Sequence, residues 1–161
     1  MTDLTAAMTS QADYPYPPTV GATSTGEQFD TAIYFDNEQE IAPVTKILAL
    51  ESSCKLPNWD GYNGRPIEAS TVGRAVGLIR QIGRLNIINL ATPFIGPIAA
   101  GGIAFEFQVG RRELILSAYN KESAIHYLKS ESEEPFDEGL FAPPSPERLG
   151  ELLAWLTASA G

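Results

Sequence analysis

Ile103-Ala104-Phe105-Glu106-Phe107-Gln108-Val109-Gly110-Arg111-Arg112-Glu113-Leu114-Ile115-Leu116-Ser117-Ala118-Tyr119 is the stretch whose reading decides the fold class. Ile103, Phe105, Phe107 and Val109 alternate with Ala104, Glu106 and Gln108, and a period of two sends the first set to one side of a β-strand. Gly110-Arg111 interrupts the alternation as a hairpin turn does. From Glu113 to Tyr119 the period resumes, with Leu114, Leu116 and Ala118 on one side. Gly101-Gly102 reads as the turn before this hairpin and Asn120-Lys121 as the turn after it, with Ser123 to Lys129 as a third strand. A meander of this kind has one apolar face that helices must cover.

The flanking segments supply those helices. Val44, Ile47, Leu48 and Leu50 suit a short amphipathic helix ending near Ser53, with Pro43 in its first turn, where a missing N–H costs little. Leu56 to Pro66 is a loop punctuated by Pro57, Gly61, Gly64 and Pro66. Val72, Val76, Ile79 and Ile82 stack on one side of a helix from about Glu68 to Leu85, leaving Arg74, Arg80 and Arg84 mostly off that side. Gly73, Gly77 and Gly83 weaken this helix, each by roughly 1 kcal/mol relative to alanine. Its order must therefore come from packing, and the missing side chains permit close approach. Ile87 to Ile98 reads as an irregular or edge strand, because Pro93 and Pro97 cannot donate ladder bonds. Glu131 to Glu138 reads as an acidic loop with five carboxylates, followed by Leu140-Phe141 as a short fourth strand. Ser145 as N-cap and Pro146 at the first helical position announce a last helix with Leu149, Leu152, Leu153 and Leu156 inward. The expected fold is α+β: a small antiparallel meander of three to four strands covered on one face by two or three helices.

Charge divides the chain. Residues 1–40 hold seven acidic side chains and no Lys or Arg, whereas residues 41–161 hold 13 acidic and 11 basic ones. Residues 1–40 therefore read as an acidic, largely disordered arm and 41–161 as a single domain. Within the arm, Tyr14-Pro15-Tyr16-Pro17-Pro18 favours extended conformation. Phe29, Ile33, Tyr34 and Phe35 form an apolar cluster that suits a short strand, a segment docked on the domain or an anchor for a partner. A net charge of −9 offers no basic surplus for phosphates, so direct nucleic-acid binding is not expected. No apolar run spans a bilayer, Met1 to Ser10 lacks a signal-peptide pattern, and the lone Cys54 forms no internal disulfide, so a cytoplasmic protein is expected.

Leu56-Pro57-Asn58-Trp59-Asp60-Gly61-Tyr62-Asn63-Gly64-Arg65-Pro66 resembles the opening of many small uncharacterised bacterial proteins. These have a Trp-Asp-Gly/Ser-Tyr-Gly turn, a proline and helix, a β-meander and a closing Leu-rich helix. Here Gly101-Gly102, the Phe105/Phe107 strand, Gly110-Arg111 and the Leu149–Leu156 helix match that rhythm. The resemblance covers roughly residues 45–157, with Asn63 where the second glycine of the turn usually stands. It implies the fold class and a bacterial or phage origin, and it transfers no catalytic residues.

The turn itself has a structural account: Trp59 at the seam between helix and sheet, Asp60 bonding backbone N–H groups, Gly61 supplying a positive φ, and Tyr62 anchoring the far end by its ring and hydroxyl. It also has a functional one, since Trp and Tyr are enriched at binding hot spots. Chemistry is sparse. His126 is the only histidine, and no Cys-x-x-Cys or His-Glu-x-x-His spacing exists, so no metal or other cofactor is expected. A Cys54–His126 nucleophile and base pair lacks any mark of activation. Glu106 and Glu113 can face each other across the hairpin, or serve as cross-strand partners of Arg111 and Arg112. The reading reached is a non-catalytic protein-interaction module. Its expected role is stoichiometric inhibition (antitoxin, immunity or anti-defence) of a protein with a basic surface. Trp59, Tyr62, Glu133, Glu134, Phe136, Asp137 and Glu138 are its candidate contacts, with Phe136 as an aromatic anchor inside a charged rim. The alternative is a small enzyme or nucleotide-binding domain using acidic residues and Arg80/Arg84.

Overall fold

The computed structural model describes residues 38–132, 137–142 and 145–158. The expectations for the arm through residue 37, and for Glu133, Glu134 and Phe136, fall outside the described residues. The chain runs α1 (Glu38–Ser53), α2 (Ala69–Leu85), β1 (Phe94–Ile98), β2 (Gly102–Val109), β3 (Arg112–Tyr119), β4 (Ile125–Glu131), β5 (Asp137–Phe141) and α3 (Pro146–Thr157). The strands form one antiparallel sheet in the order β1-β2-β3-β4-β5. The fold is α+β as expected, with five strands rather than three or four.

Register explains the two sides of the sheet. Phe105, Leu116, Tyr127 and Gly139 form one cross-strand row, and Ile103, Ala118, Ile125 and Phe141 form the next. Ile103, Phe105, Leu116, Ala118, Ile125, Tyr127 and Phe141 are buried, and with Val44, Ile47, Val72, Ile79, Leu149, Leu153 and Leu156 they form one hydrophobic core. All three described helices therefore lie on one face of the sheet.

Local differences from the sequence reading have physical reasons. α1 begins at Glu38, so Pro43 lies inside it rather than in its first turn. The proline removes only one helical hydrogen bond, and its ring is buried. Leu48, placed on the inward stripe, is 43% exposed. The inward side of α2 is Thr71, Val72, Ala75, Leu78, Ile79 and Ile82, with Val76 only half-buried. Gly73 and Gly77 face open space and serve no close approach. The acidic loop is shorter than its composition suggests: Glu131 ends β4, and Asp137 and Glu138 begin β5. Acidic residues are poor strand formers, but ion pairs offset this: Glu131 meets Arg112 at 3.1 Å and Asp137 meets Lys129 at 2.8 Å.

Arg112 does further work. Its Nη1 donates to the carbonyls of Trp155 (2.7 Å) and Ala158 (2.8 Å), and so satisfies acceptors at the C-terminal end of α3. Its guanidinium and the Lys129 ammonium both lie over the Trp155 ring, 5.5 and 5.2 Å from the centroid.

Candidate interaction site

Two surfaces display the residues that sequence reasoning singled out. The first is the loop between α1 and α2. Asp60 Oδ1 accepts the N–H groups of Tyr62 (2.8 Å) and Gly64 (2.7 Å), and Asn58 Oδ1 accepts that of Asn63 (2.8 Å). Backbone bonds from Asn58 N–H to the Gly64 carbonyl and from Gly61 N–H to the Asn58 carbonyl close the ring. Asn58, Gly61 and Asn63 take positive φ (60°, 76° and 68°), as the expected turn chemistry requires. Gly64 is obligatory for a different reason: a Cβ there would lie 2.7–2.8 Å from the Asp60 carboxyl and the Trp59 ring. The hydrogen bonds from Tyr62, and then Gly64, hold the Asp60 carboxyl below the ordinary aspartate range.

Trp59 is half-buried against the core and donates Nε1–H to the Arg65 carbonyl at 2.9 Å, which agrees with its structural reading. Tyr62 does not anchor the far end of the turn. It is 87% exposed, because Asp60 and Asn58 already fix that end through the backbone. The loop is joined to the sheet where Arg65 N–H meets the Ala99 carbonyl and Asn120 Nδ2 donates to the Pro66 carbonyl at 2.7 Å.

The second surface is the face of the sheet opposite the described helices. Phe94, Glu106, Ile115, Leu128 and Glu138 form one row across all five strands. Gly96, Ala104, Ser117, His126 and Leu140 form the next. Phe94 and Leu140 are each 60% exposed, and Ile115 and Leu128 are half-buried. Glu113 lies on the same side, opposite Gln108 rather than Glu106, so the two glutamates are diagonal neighbours and not a facing pair. None of the outward positions of the five strands is Lys or Arg. Arg112 and Lys129 both point to the helix side, and Arg112 pairs with Glu131 rather than with Glu106 or Glu113. The strand residues of this face thus mix apolar side chains with acidic ones, and the cation that reaches its β1 edge comes from α1, where Lys46 Nζ lies 4.7 Å from the Phe94 ring centroid.

At one end of this face His126 Nε2 meets the Glu122 carboxylate, and the His126 ring stands edge-on to Tyr119. Ser117 is the cross-strand neighbour of His126, yet no hydrogen bond joins them among the described residues. Cys54 is buried in the core on the other side of the sheet, which separates it from His126. Among the described residues no group of three or more His, Cys, Asp or Glu is placed to hold a metal ion. Arg80 is half-buried and Arg84 exposed on α2.

Of the seven candidate contacts, the structure keeps Trp59 and Tyr62 together on the loop and sets Asp137 and Glu138 at the far edge of the sheet. Asp137 is engaged by Lys129, while Glu138 is exposed on the open face. Ile115, Leu128 and Leu140 were not singled out. The signal was present: they occupy the alternate strand positions that a one-sided core leaves outward, and such positions are ordinarily polar. Comparisons with protein families, with curated proteins and with solved structures find no match for this chain. Among the described residues no helix is long and apolar enough to cross a membrane.

Proposed function

We propose that the chain is a non-catalytic protein-interaction module that binds a basic protein surface through the open face of its sheet. The observation that carries this reading is the composition of that face. Phe94, Ile115, Leu128 and Leu140 lie among Glu106, Glu113 and Glu138 with no cationic strand residue between them. Apolar side chains mixed with charge of one sign suit recognition of an oppositely charged protein: the apolar side chains supply area, and the charges supply steering and selectivity. The role is stoichiometric inhibition, of the antitoxin, immunity or anti-defence kind, in a bacterial or phage cytoplasm. The resemblance of the Trp59-Asp60-Gly61-Tyr62 region to small bacterial proteins supports that setting.

The test is affinity capture from host lysate with the full chain, beside a Glu106→Lys, Glu113→Lys, Glu138→Lys variant of equal melting temperature. The reading expects a protein with a basic surface retained by the native chain, released by salt and absent from the variant eluate. Identical protein sets on both baits would refute it.

A further inference from the structure

We infer that the β5 edge of the sheet accepts an extended basic segment of a partner protein as a sixth, hydrogen-bonded strand. This deepens the proposed function and rests on its reading of the open face.

The two edges of the sheet are built differently. β1 is blunted: Pro97 has no N–H to offer, Phe94 folds its ring over Gly96, and α1 packs against the strand with Lys46 Nζ 4.7 Å from the Phe94 ring centroid. β5 has no proline and no described helix packed along it, and its protection is its short length and its acidic residues. Among the described residues β4 is the one strand paired with β5, and alternate residues of an antiparallel edge strand turn their N–H and C=O away from that neighbour. The described helices pack chiefly on β1, β2 and β3.

β5 is also held from the β4 side. Gly139 lies under the Tyr127 ring, where an added Cβ would sit 2.7 Å from ring carbon and hydroxyl oxygen alike. The Tyr127 hydroxyl accepts a 2.7 Å hydrogen bond from Arg148 Nη2, and Asp137 is tied to Lys129. A fixed strand loses little order when another joins it.

Charge selects the occupant. With Asp137 paired to Lys129, Glu138 is the exposed uncompensated charge of β5, which disfavours a second copy of the same edge and favours a basic strand. Along such a strand, alternate side chains would fall on the open face beside Glu138 and the exposed Leu140, continuing the rows that begin at Phe94 and Gly96. Main-chain bonds give affinity in this mode, and alternate side chains give specificity.

The experiment adds three short end-blocked peptides to the full chain: alternating lysine and valine, the same with prolines replacing the valines, and alternating glutamate and valine. Binding is read by fluorescence anisotropy, and the site by amide hydrogen exchange over Asp137–Phe141. The inference expects the lysine–valine peptide to bind, and alternate β5 amides to gain protection. Both other peptides, and the Glu138→Lys variant, should bind roughly tenfold or more weakly. Equal binding of the proline peptide with no gain in β5 protection would overturn strand addition while leaving the charged face standing. No binding of either basic peptide would overturn both.

Discussion

Asn120 Oδ1, in the turn between β3 and β4, accepts the Thr71 hydroxyl at 2.8 Å from 49 residues away in the chain. The same oxygen accepts the Glu68 N–H at 3.0 Å, and Asn120 Nδ2 donates to the Pro66 carbonyl. Glu68 holds the N-cap position of α2 but makes no side-chain cap bond, so the sheet supplies what the helix's own sequence omits. Asn120→Ala should destabilise the protein by about 1–3 kcal/mol, with early loss of protection in the first turn of α2. Urea unfolding with hydrogen exchange measures both. An unchanged midpoint would show that water serves equally well there.

Glycines separate by what surrounds them. Gly73→Ala and Gly77→Ala should each stabilise the protein by about 0.5–1 kcal/mol, because both lie within α2 with nothing within 4 Å of the added methyl. Gly102→Ala should be severely destabilising, since its Cβ would meet the Ala118 carbonyl oxygen at 2.6 Å. Thermal melts of the three variants check the ordering, and a stabilised Gly102→Ala protein would contradict the register of β2 against β3.

Trp59 and Tyr62 should part company in the same assay. Trp59→Ala removes a half-buried ring and its bond to Arg65, and should cost about 2–4 kcal/mol. Tyr62→Ala removes an exposed ring and should change stability by less than about 0.5 kcal/mol. A large loss for Tyr62→Ala would mean that the side chain packs on something.

Acid should loosen the Trp59–Gly64 loop late. The Tyr62 and Gly64 N–H groups hold the Asp60 carboxyl below its ordinary range. A depressed folded-state value means that the order due to this carboxylate is complete above the unfolded-state value and is lost as pH falls through the lower folded one. Amide NMR shifts of Tyr62 and Gly64 should therefore titrate with a midpoint below that of a free aspartate. A midpoint at or above it would contradict the bonding described.

Much of the fold was legible because alternation and helical period are local. The Ile103–Tyr119 hairpin, the Asn120-Lys121 turn, α2 and α3 stand where those periods put them, whereas Gly102 already belongs to β2 and the turn before it ends at Gly101. β5 was legible only as Leu140-Phe141, because its first residues are acidic and the Lys129 that pairs with Asp137 stands opposite it only once β4 and β5 are in register. The buried face of α2 was read correctly at Val72, Ile79 and Ile82 but not in full, for a related reason. Thr71 and Ala75 look indifferent in sequence, yet both are buried, Thr71 through its bond to Asn120. Of the site, Trp59 and Glu138 could be named from residue type alone. The open face could not, since Ile115, Leu128 and Leu140 form a surface only once five strands are in register.

The acidic open face is tested most directly by the rate at which the captured partner associates with the full chain, measured at low and high ionic strength. The Glu106→Gln, Glu113→Gln, Glu138→Gln variant should associate roughly tenfold or more slowly at low salt, with a flattened salt dependence and an unchanged melting temperature. An association rate equal to that of the native chain at both ionic strengths would contradict the claim that this face receives a basic partner.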